Sequence, residues 1–318
     1  MVAAVPDSAT LDAAQKLVAG HLPPTPVVRW TSPDHGDILL KLESLQPSGS
    51  FKVRGALVAM SAYAGAAGAT GGLVTASAGN HALGIAEAAR LLGGDAAIVV
   101  PENASTAKVE ALRRYPVDLR LVGRSFDDAE AEALRLAEEN GWTYVSAYND
   151  VQVIAGQSSV VAELARQVEG PVTVVVPVGG GGLVAGSTLE AARHGDRIRI
   201  IGVETQASMA VSTAVKAGKT VDVTVDDSIC DGLAGGIEDG CVTPDVLRDA
   251  GIELVSVPET AVRSAVRKLA TQAGVVVEAS SAVTFAAVEE GFIPDDRPIV
   301  LVLTGRNIAP SLLTGLLS

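Results

Sequence analysis

In KLESLQPSGSFKVRGA, residues 41–56, small residues lead into a lysine and then into an apolar helical pattern. Gly49 and Ser50 suit a turn. After it, Val53, Ala56, Leu57 and Met60 recur at helical spacing. Lys52 therefore falls at a helix N-terminus, where backbone N–H groups and the helix dipole already favour anions. That positive potential, together with burial beside Phe51, lowers the lysine pKa toward a usable nucleophile. Taken alone, residue 52 also reads as an ordinary surface lysine.

Upstream, residues 8–21 carry Leu11, Ala14, Leu17 and Val18 on one helical face, and Pro23, Pro24 and Pro26 end that helix. Ile38–Leu42 is a short strand before the lysine turn. Downstream, strands at Leu73–Ala76, Asp95–Val100, 118–122, 142–146, Val172–Val178, Arg199–Val203 and Ile299–Leu303 are separated by helical patterns. Those helices run to Leu92, lie near 105–114 and 126–140, follow Gly182, and lie near 207–217, 260–273 and 281–290. The alanine-rich stretch 56–69 reads as packed helix. This alternation predicts an α/β protein with parallel sheet. Neither a repeat nor a low-complexity linker interrupts it.

A chain of 318 residues is long enough for two lobes. It is 48% hydrophobic but only 3% aromatic, so Ala, Val, Leu and Ile must build the core, as in helices layered on parallel sheet. The net charge of −13 argues against nucleic acid and against a membrane surface as partner. Cys230 and Cys241 form no C-x-x-C pair and have no histidine cluster near them, which argues against zinc. With no secretory pattern at the N-terminus, two cysteines predict a reducing, cytoplasmic setting. The uncharged run at residues 170–189 holds Pro171, Pro177 and four consecutive glycines. It reads as strand, loop and helix rather than a membrane span.

Three loops fall at the C-terminal ends of predicted strands, where open α/β sheets bind ligands. In Ser77-Ala78-Gly79-Asn80-His81, backbone N–H groups with Ser77 and Asn80 can hold a carboxylate or phenolate oxygen. In Gly179-Gly180-Gly181-Gly182, successive N–H groups can converge on a phosphate at a helix start. In Thr304-Gly305-Arg306-Asn307, a hydroxyl can face a ring nitrogen. A competing reading uses the same glycines. Gly180-x-Gly182-x-x-Ala185 fits the dinucleotide fingerprint, with Glu204 ending the next strand about twenty residues on. That NAD-dependent dehydrogenase reading leaves the lysine turn and the Ser77–His81 loop unexplained. The histidines at 21, 35, 81 and 194 sit in no hydrolase motif.

Taken together, these stretches resemble the fold-type II pyridoxal-phosphate enzymes, above all the serine/threonine dehydratases. The pattern K-x-E-x-x-Q-x-[ST]-G-S-F-K-x-R-G-A is matched from Lys41 to Ala56. The resemblance implies a two-domain, tryptophan synthase β-like fold with mostly parallel sheets flanked by helices. Residues 1–45 and 149–318 would form the large cofactor-binding domain and 46–148 an inserted small domain, with the active site between them. It implies that Lys52 carries pyridoxal phosphate and acts as the catalytic base. Ser77, Ala78, Gly79, Asn80 and His81 would bind the substrate carboxylate, Asn80 also reaching the ring hydroxyl. Gly179 to Gly182 would cup the phosphate, Gly232 and Phe51 would sandwich the ring, and Thr304 would face its nitrogen. The implied reaction is β-elimination of L-threonine or L-serine to a 2-oxo acid and ammonia, by a homodimer. β-Replacement is the nearest rival within the fold. Ala78 stands where serine racemases of this family carry a second proton-transfer serine. Glu204 stands at the start of their divalent-metal site without its second carboxylate, which leaves a monovalent cation. Arg306 replaces a usual glycine, and Glu278-Ala279 resembles a Glu-Pro pair.

Overall fold

The computed structural model describes residues 4–64 and 71–318; the end of the alanine-rich stretch 56–69, like Met1–Ala3, lies outside them. Its strands are β1 (Val27–Ser32), β2 (Gly36–Lys41), β3 (Leu73–Ala76), β4 (Ala96–Val100), β5 (Asp118–Leu121), β6 (Thr143–Tyr144), β7 (Val172–Pro177), β8 (Ile198–Thr205), β9 (Glu253–Val257) and β10 (Ile299–Val302). Two sheets result, in the orders β1-β2-β10-β7-β8-β9 and β5-β4-β3-β6. Every neighbouring pair is parallel except β1–β2, which turns back through residues 33–35. The α/β architecture with mostly parallel sheets is thus the one the alternation of patterns predicts.

The helices are α1 (Ser8–His21), α2 (Lys52–Tyr63), α3 (Asn80–Leu92), α4 (Thr106–Leu112), α5 (Phe126–Asn140), α6 (Val151–Gln167), α7 (Gly182–Ala192), α8 (Ala210–Ala217), α9 (Thr243–Asp249), α10 (Glu259–Thr271), α11 (Ala279–Glu289) and α12 (Pro310–Leu317). Strand alternation sorts the cores. Val172, Val174 and Val176 of β7 pack with Val160, Val161 and Leu164 of α6, and with Leu183 and Val184 of α7. Val175 on the other face joins Val262 and Val266 of α10 and Val283 and Phe285 of α11. In the smaller sheet, Leu73 and Ile98 face α2 and α3, while Val74, Ala97 and Val99 face Ala129, Ala133 and Leu136 of α5.

Five elements differ from the reading of the sequence: β1, α6, α9, β9 and α12 were not foreseen. Among these, α6 matters most. It is buried almost all round, from Val153 to Leu164, so it shows no apolar stripe against a polar face. It crosses α2 at Gly55 and Gly156. A Cβ on Gly156 would lie 2.6 Å from the Arg54 carbonyl oxygen and 2.6 Å from the Gly55 Cα, so the two backbones meet.

The motif residues around Lys52 lock this crossing. Arg54, fully buried, bonds Glu43 through Nε at 2.7 Å and Nη2 at 2.9 Å, and Glu163 through Nη1 at 2.7 Å. Lys41 Nζ donates to the same Glu163 at 2.8 Å, to Gln167 at 2.9 Å and to the Thr25 carbonyl at 2.9 Å. Two cations and two carboxylates cancel, and nearly every donor finds an acceptor, the condition under which buried charge is tolerated. This cluster ties β2 and the turn Glu43–Leu45 to α2 and α6, and it sets where α2 begins.

Candidate active site

Lys52 is the first residue of α2. The Phe51 N–H preceding it donates to the Thr304 carbonyl at 3.0 Å, which joins the lysine turn to the loop after β10. The Lys52 ammonium finds one acceptor, the Ala147 carbonyl at 2.8 Å, and lies 5.2 Å from the Phe51 ring centroid. Burial lowers its pKa to about 8, against the opposing field of Glu278. The predicted helix-start lysine is therefore where the sequence puts it, and its shift comes chiefly from desolvation.

Tyr148, the residue after Ala147, packs against the glycine loop. The Tyr148 ring lies so close to Gly180 that a Cβ there would sit 2.3 Å from it. Gly181 has a φ of +89°, and a Cβ on it would be 2.5 Å from Thr243 Oγ1. Side chains are therefore excluded from this loop by protein already packed against it. Among the described residues, no acceptor takes the N–H groups of Gly179, Gly180 or Gly181, and α7 starts at Gly182. These amides form an anion cradle at a helix N-terminus.

The Ser77–His81 loop makes a second such cradle. Ser77 Oγ accepts the Gly79 N–H at 3.2 Å, and α3 starts at Asn80. Among the described residues, the N–H groups of Ala78, Asn80, His81 and Ala82 find no acceptor. His81 points away from this opening: it is buried, and its Nε2–H donates to the Val145 carbonyl at 3.3 Å. Burial, with the nearby Lys52 charge, drives its pKa down to about 3, so it is neutral. Its share in anion binding is its backbone N–H.

A short run at the head of α11 stands behind three predicted contact residues. Glu278 Oε1 accepts from Asn80 Nδ2 at 2.7 Å, while Asn80 Oδ1 accepts from Asn307 Nδ2 at 2.7 Å. Ser280 Oγ accepts the Gly232 N–H at 3.1 Å. Ser281 Oγ lies 2.8 Å from Thr304 Oγ1. Asn80 is thus held at both ends of its amide with one N–H to spare. Glu278 is buried with no cation in contact among the described residues, and burial, then the nearby Asp231, raises its pKa to about 7. Sequence reasoning marked Glu278 without giving it a role and missed Ser280 and Ser281. It also missed Ala147 and Tyr148, which follow strand β6 and so obey the rule that found the other loops.

Two residues fall outside this constellation. Glu204, at the end of β8, turns away to cap α8, its Oε1 accepting the Val211 and Ser212 N–H groups at 3.0 and 3.2 Å. Its Oε2 is buried without a partner, and burial raises its pKa. A carboxylate capping the next helix is not presented to a ribose, which removes the acidic end of the dinucleotide fingerprint. Among the described residues, no three His, Cys, Asp or Glu side chains converge on one point. Arg306 is exposed; its N–H donates to the Gly49 carbonyl at 2.9 Å, and its Nη1 lies 3.3 Å from the Gln46 carbonyl oxygen.

Comparison with known proteins places this arrangement. The family model described as pyridoxal-phosphate dependent enzyme matches residues 18–305. L-threonine ammonia-lyase of Geobacter sulfurreducens is 38% identical over 272 residues, 85% of this chain and 67% of that protein. The catabolic L-threonine dehydratase of Staphylococcus aureus is 34% identical over 293 residues, 89% of this chain and 82% of that protein. Among solved structures, maize serine racemase superimposes with a TM-score of 0.90 at 31% identity, covering 98% of this chain and 97% of that one.

Proposed function

This chain belongs to the family of pyridoxal-phosphate dependent enzymes, and on that premise we propose that it removes the β-hydroxyl and the amino group of L-threonine or L-serine, giving a 2-oxo acid and ammonia. The observation that carries the reading is the Lys52 amine, held against Ala147 beside a glycine cradle of unpartnered N–H groups. These residues fit the cofactor. Lys52 would take its aldehyde, the amides of Gly179 to Gly182 its phosphate, and the spare N–H of Asn80 its ring oxygen. Phe51 and Gly232 would flank the ring, with the Thr304 hydroxyl at the ring nitrogen. When bound, pyridoxal phosphate draws electrons from the Cα of the attached amino acid.

The chain's own residues supply the remainder. The N–H groups of the Ser77–His81 loop bind the substrate carboxylate at the head of α3. The Lys52 amine would take the Cα proton; a pKa of about 8 leaves a useful neutral fraction near neutrality. His81, being neutral, donates no competing charge. Ala78 offers only a methyl group, so no second acid returns a proton on the opposite face, and elimination outruns racemisation. The segments 1–45 with 149–318, and 46–148, act as two domains whose closure excludes water. The partner-free Oε2 of Glu204 supports a monovalent cation there, tested by activity in potassium against tetramethylammonium. A cytoplasmic homodimer completes the reading; sedimentation of the holoenzyme tests its assembly.

The deciding experiment adds L-threonine and L-serine to the reconstituted protein and follows 2-oxobutyrate, pyruvate and ammonia. Release of equal amounts of oxo acid and ammonia is the expected result. Incorporation of an added thiol in place of ammonia release would move the assignment to β-replacement.

A further inference from the structure

Ser281 Oγ lies 2.8 Å from Thr304 Oγ1, 3.0 Å from the Gly305 carbonyl oxygen, and accepts the Gly305 N–H at 2.7 Å. Both hydroxyls are buried. The Thr304 hydroxyl bonds nothing else among the described residues, and neither hydroxyl bonds a carboxylate.

A hydroxyl has one proton and two lone pairs. On Ser281, one lone pair is used by the Gly305 N–H, so its proton has two destinations. Sent to the Gly305 carbonyl, it would require Thr304 to donate its own proton to Ser281. Thr304 would then offer the site only lone pairs. Sent to Thr304 Oγ1, it leaves the Thr304 proton free to point away from Ser281. The Gly305 carbonyl already accepts the Glu278 N–H at 3.0 Å and does not need Ser281. Lone pairs on Thr304 would suit only a protonated, cationic ring nitrogen, and no carboxylate bonds this pair to support a buried cation.

We propose that Ser281 is a positioning residue: it donates to Thr304 Oγ1 and thereby aims the Thr304 proton at an unprotonated ring nitrogen of bound pyridoxal phosphate. The inference rests on the reading of Thr304 as the residue facing that nitrogen. Its consequence is chemical. The hydroxyl pair tempers the electron demand of the ring without protonating it, which suits prompt loss of a β-leaving group.

The test is nitrogen NMR of the holoenzyme reconstituted with pyridoxal phosphate labelled at the ring nitrogen. The native protein should give the resonance of an unprotonated, hydrogen-bonded nitrogen, and Thr304→Val should move it toward a bare nitrogen. Ser281→Ala should move it part of the way in the same direction and weaken cofactor affinity about fivefold, the worth of one neutral hydrogen bond. Ser281→Thr should restore both. If Ser281→Ala does not fold, Ser281→Cys, a weak donor of similar volume, should shift the resonance with the same sign. A protonated nitrogen in the native protein overturns the proposal. So does a shift that moves in Thr304→Val but not in the Ser281 variants, and that outcome leaves Thr304 at the nitrogen. No change in Thr304→Val removes Thr304 from the ring nitrogen, and the proposal with it.

Discussion

Two lysines of one motif have opposite fates. Lys41 is fully buried, yet Glu163, Gln167 and the Thr25 carbonyl surround its ammonium, within a cluster where Arg54 and Glu43 complete the balance. Lys52 has a single carbonyl and a ring face. Burial lowers both pKa values, but only Lys41 has a carboxylate in contact, Glu163, to hold its charge in place. Glu278 acts on Lys52 through its field alone. The balanced lysine builds the frame, and the unbalanced one is left able to lose a proton and form a bond. Charge compensation, rather than burial, separates structure from chemistry here.

The sharpest way to break this contrast is at Lys52. Lys52→Ala should cost about ten-thousand-fold in turnover, since on the proposed reading it removes both the tether and the base. It should also abolish the visible absorbance of bound cofactor without loss of stability. The sign of the pH dependence checks the same point in the cofactor-free protein. The folded pKa of about 8 lies below the ordinary 10.5, so between these values the unfolded chain holds a proton that the folded chain has released. Stability should therefore rise as pH climbs through that window, and Lys52→Ala should remove the rise in thermal melts.

The balanced side should fail differently. Arg54→Met leaves Glu43 buried without its cation and Glu163 with Lys41 alone, and should cost about 3–5 kcal/mol in urea unfolding, with residual activity proportional to folded protein. Gly180→Ala should cost about 1–3 kcal/mol through collision with the Tyr148 ring, and should weaken cofactor binding in titrations. Glu278→Gln has the smallest effect and the most specific one. The folded Glu278 value of about 7 lies above the ordinary 4.5, so between those values the folded protein keeps a proton that the unfolded chain has lost. Native stability should fall as pH rises through that interval, and Glu278→Gln should flatten the slope, a gain on the order of 1 kcal/mol above pH 7. Loss of its field should also lower the pKa of Lys52 further.

Much of the candidate site is legible from residue order because it lies on loops that follow strands. Lys52, the Ser77–His81 loop, the glycine run and Thr304 all stand at element ends marked by glycine and by apolar runs. What was not legible depends on contacts between distant segments. Helix α6 is buried on nearly every side and shows no solvent face, and its crossing with α2 depends on Gly55 meeting Gly156. Ser280 and Ser281 look like any helix-start serines until Gly232 and Thr304 are brought against them. Arg54 and Glu163 reveal their pairing only once α6 lies beside α2. Edge strands such as β9, half exposed, lack the buried β-branched run that marked β7.

Borohydride reduction of the protein loaded with pyridoxal phosphate, followed by peptide mass mapping, tests the contrast between the two lysines most directly. The account predicts the pyridoxyl group on the peptide carrying Lys52 and none on Lys41. Label on another lysine, with Lys52 unmodified, would contradict it.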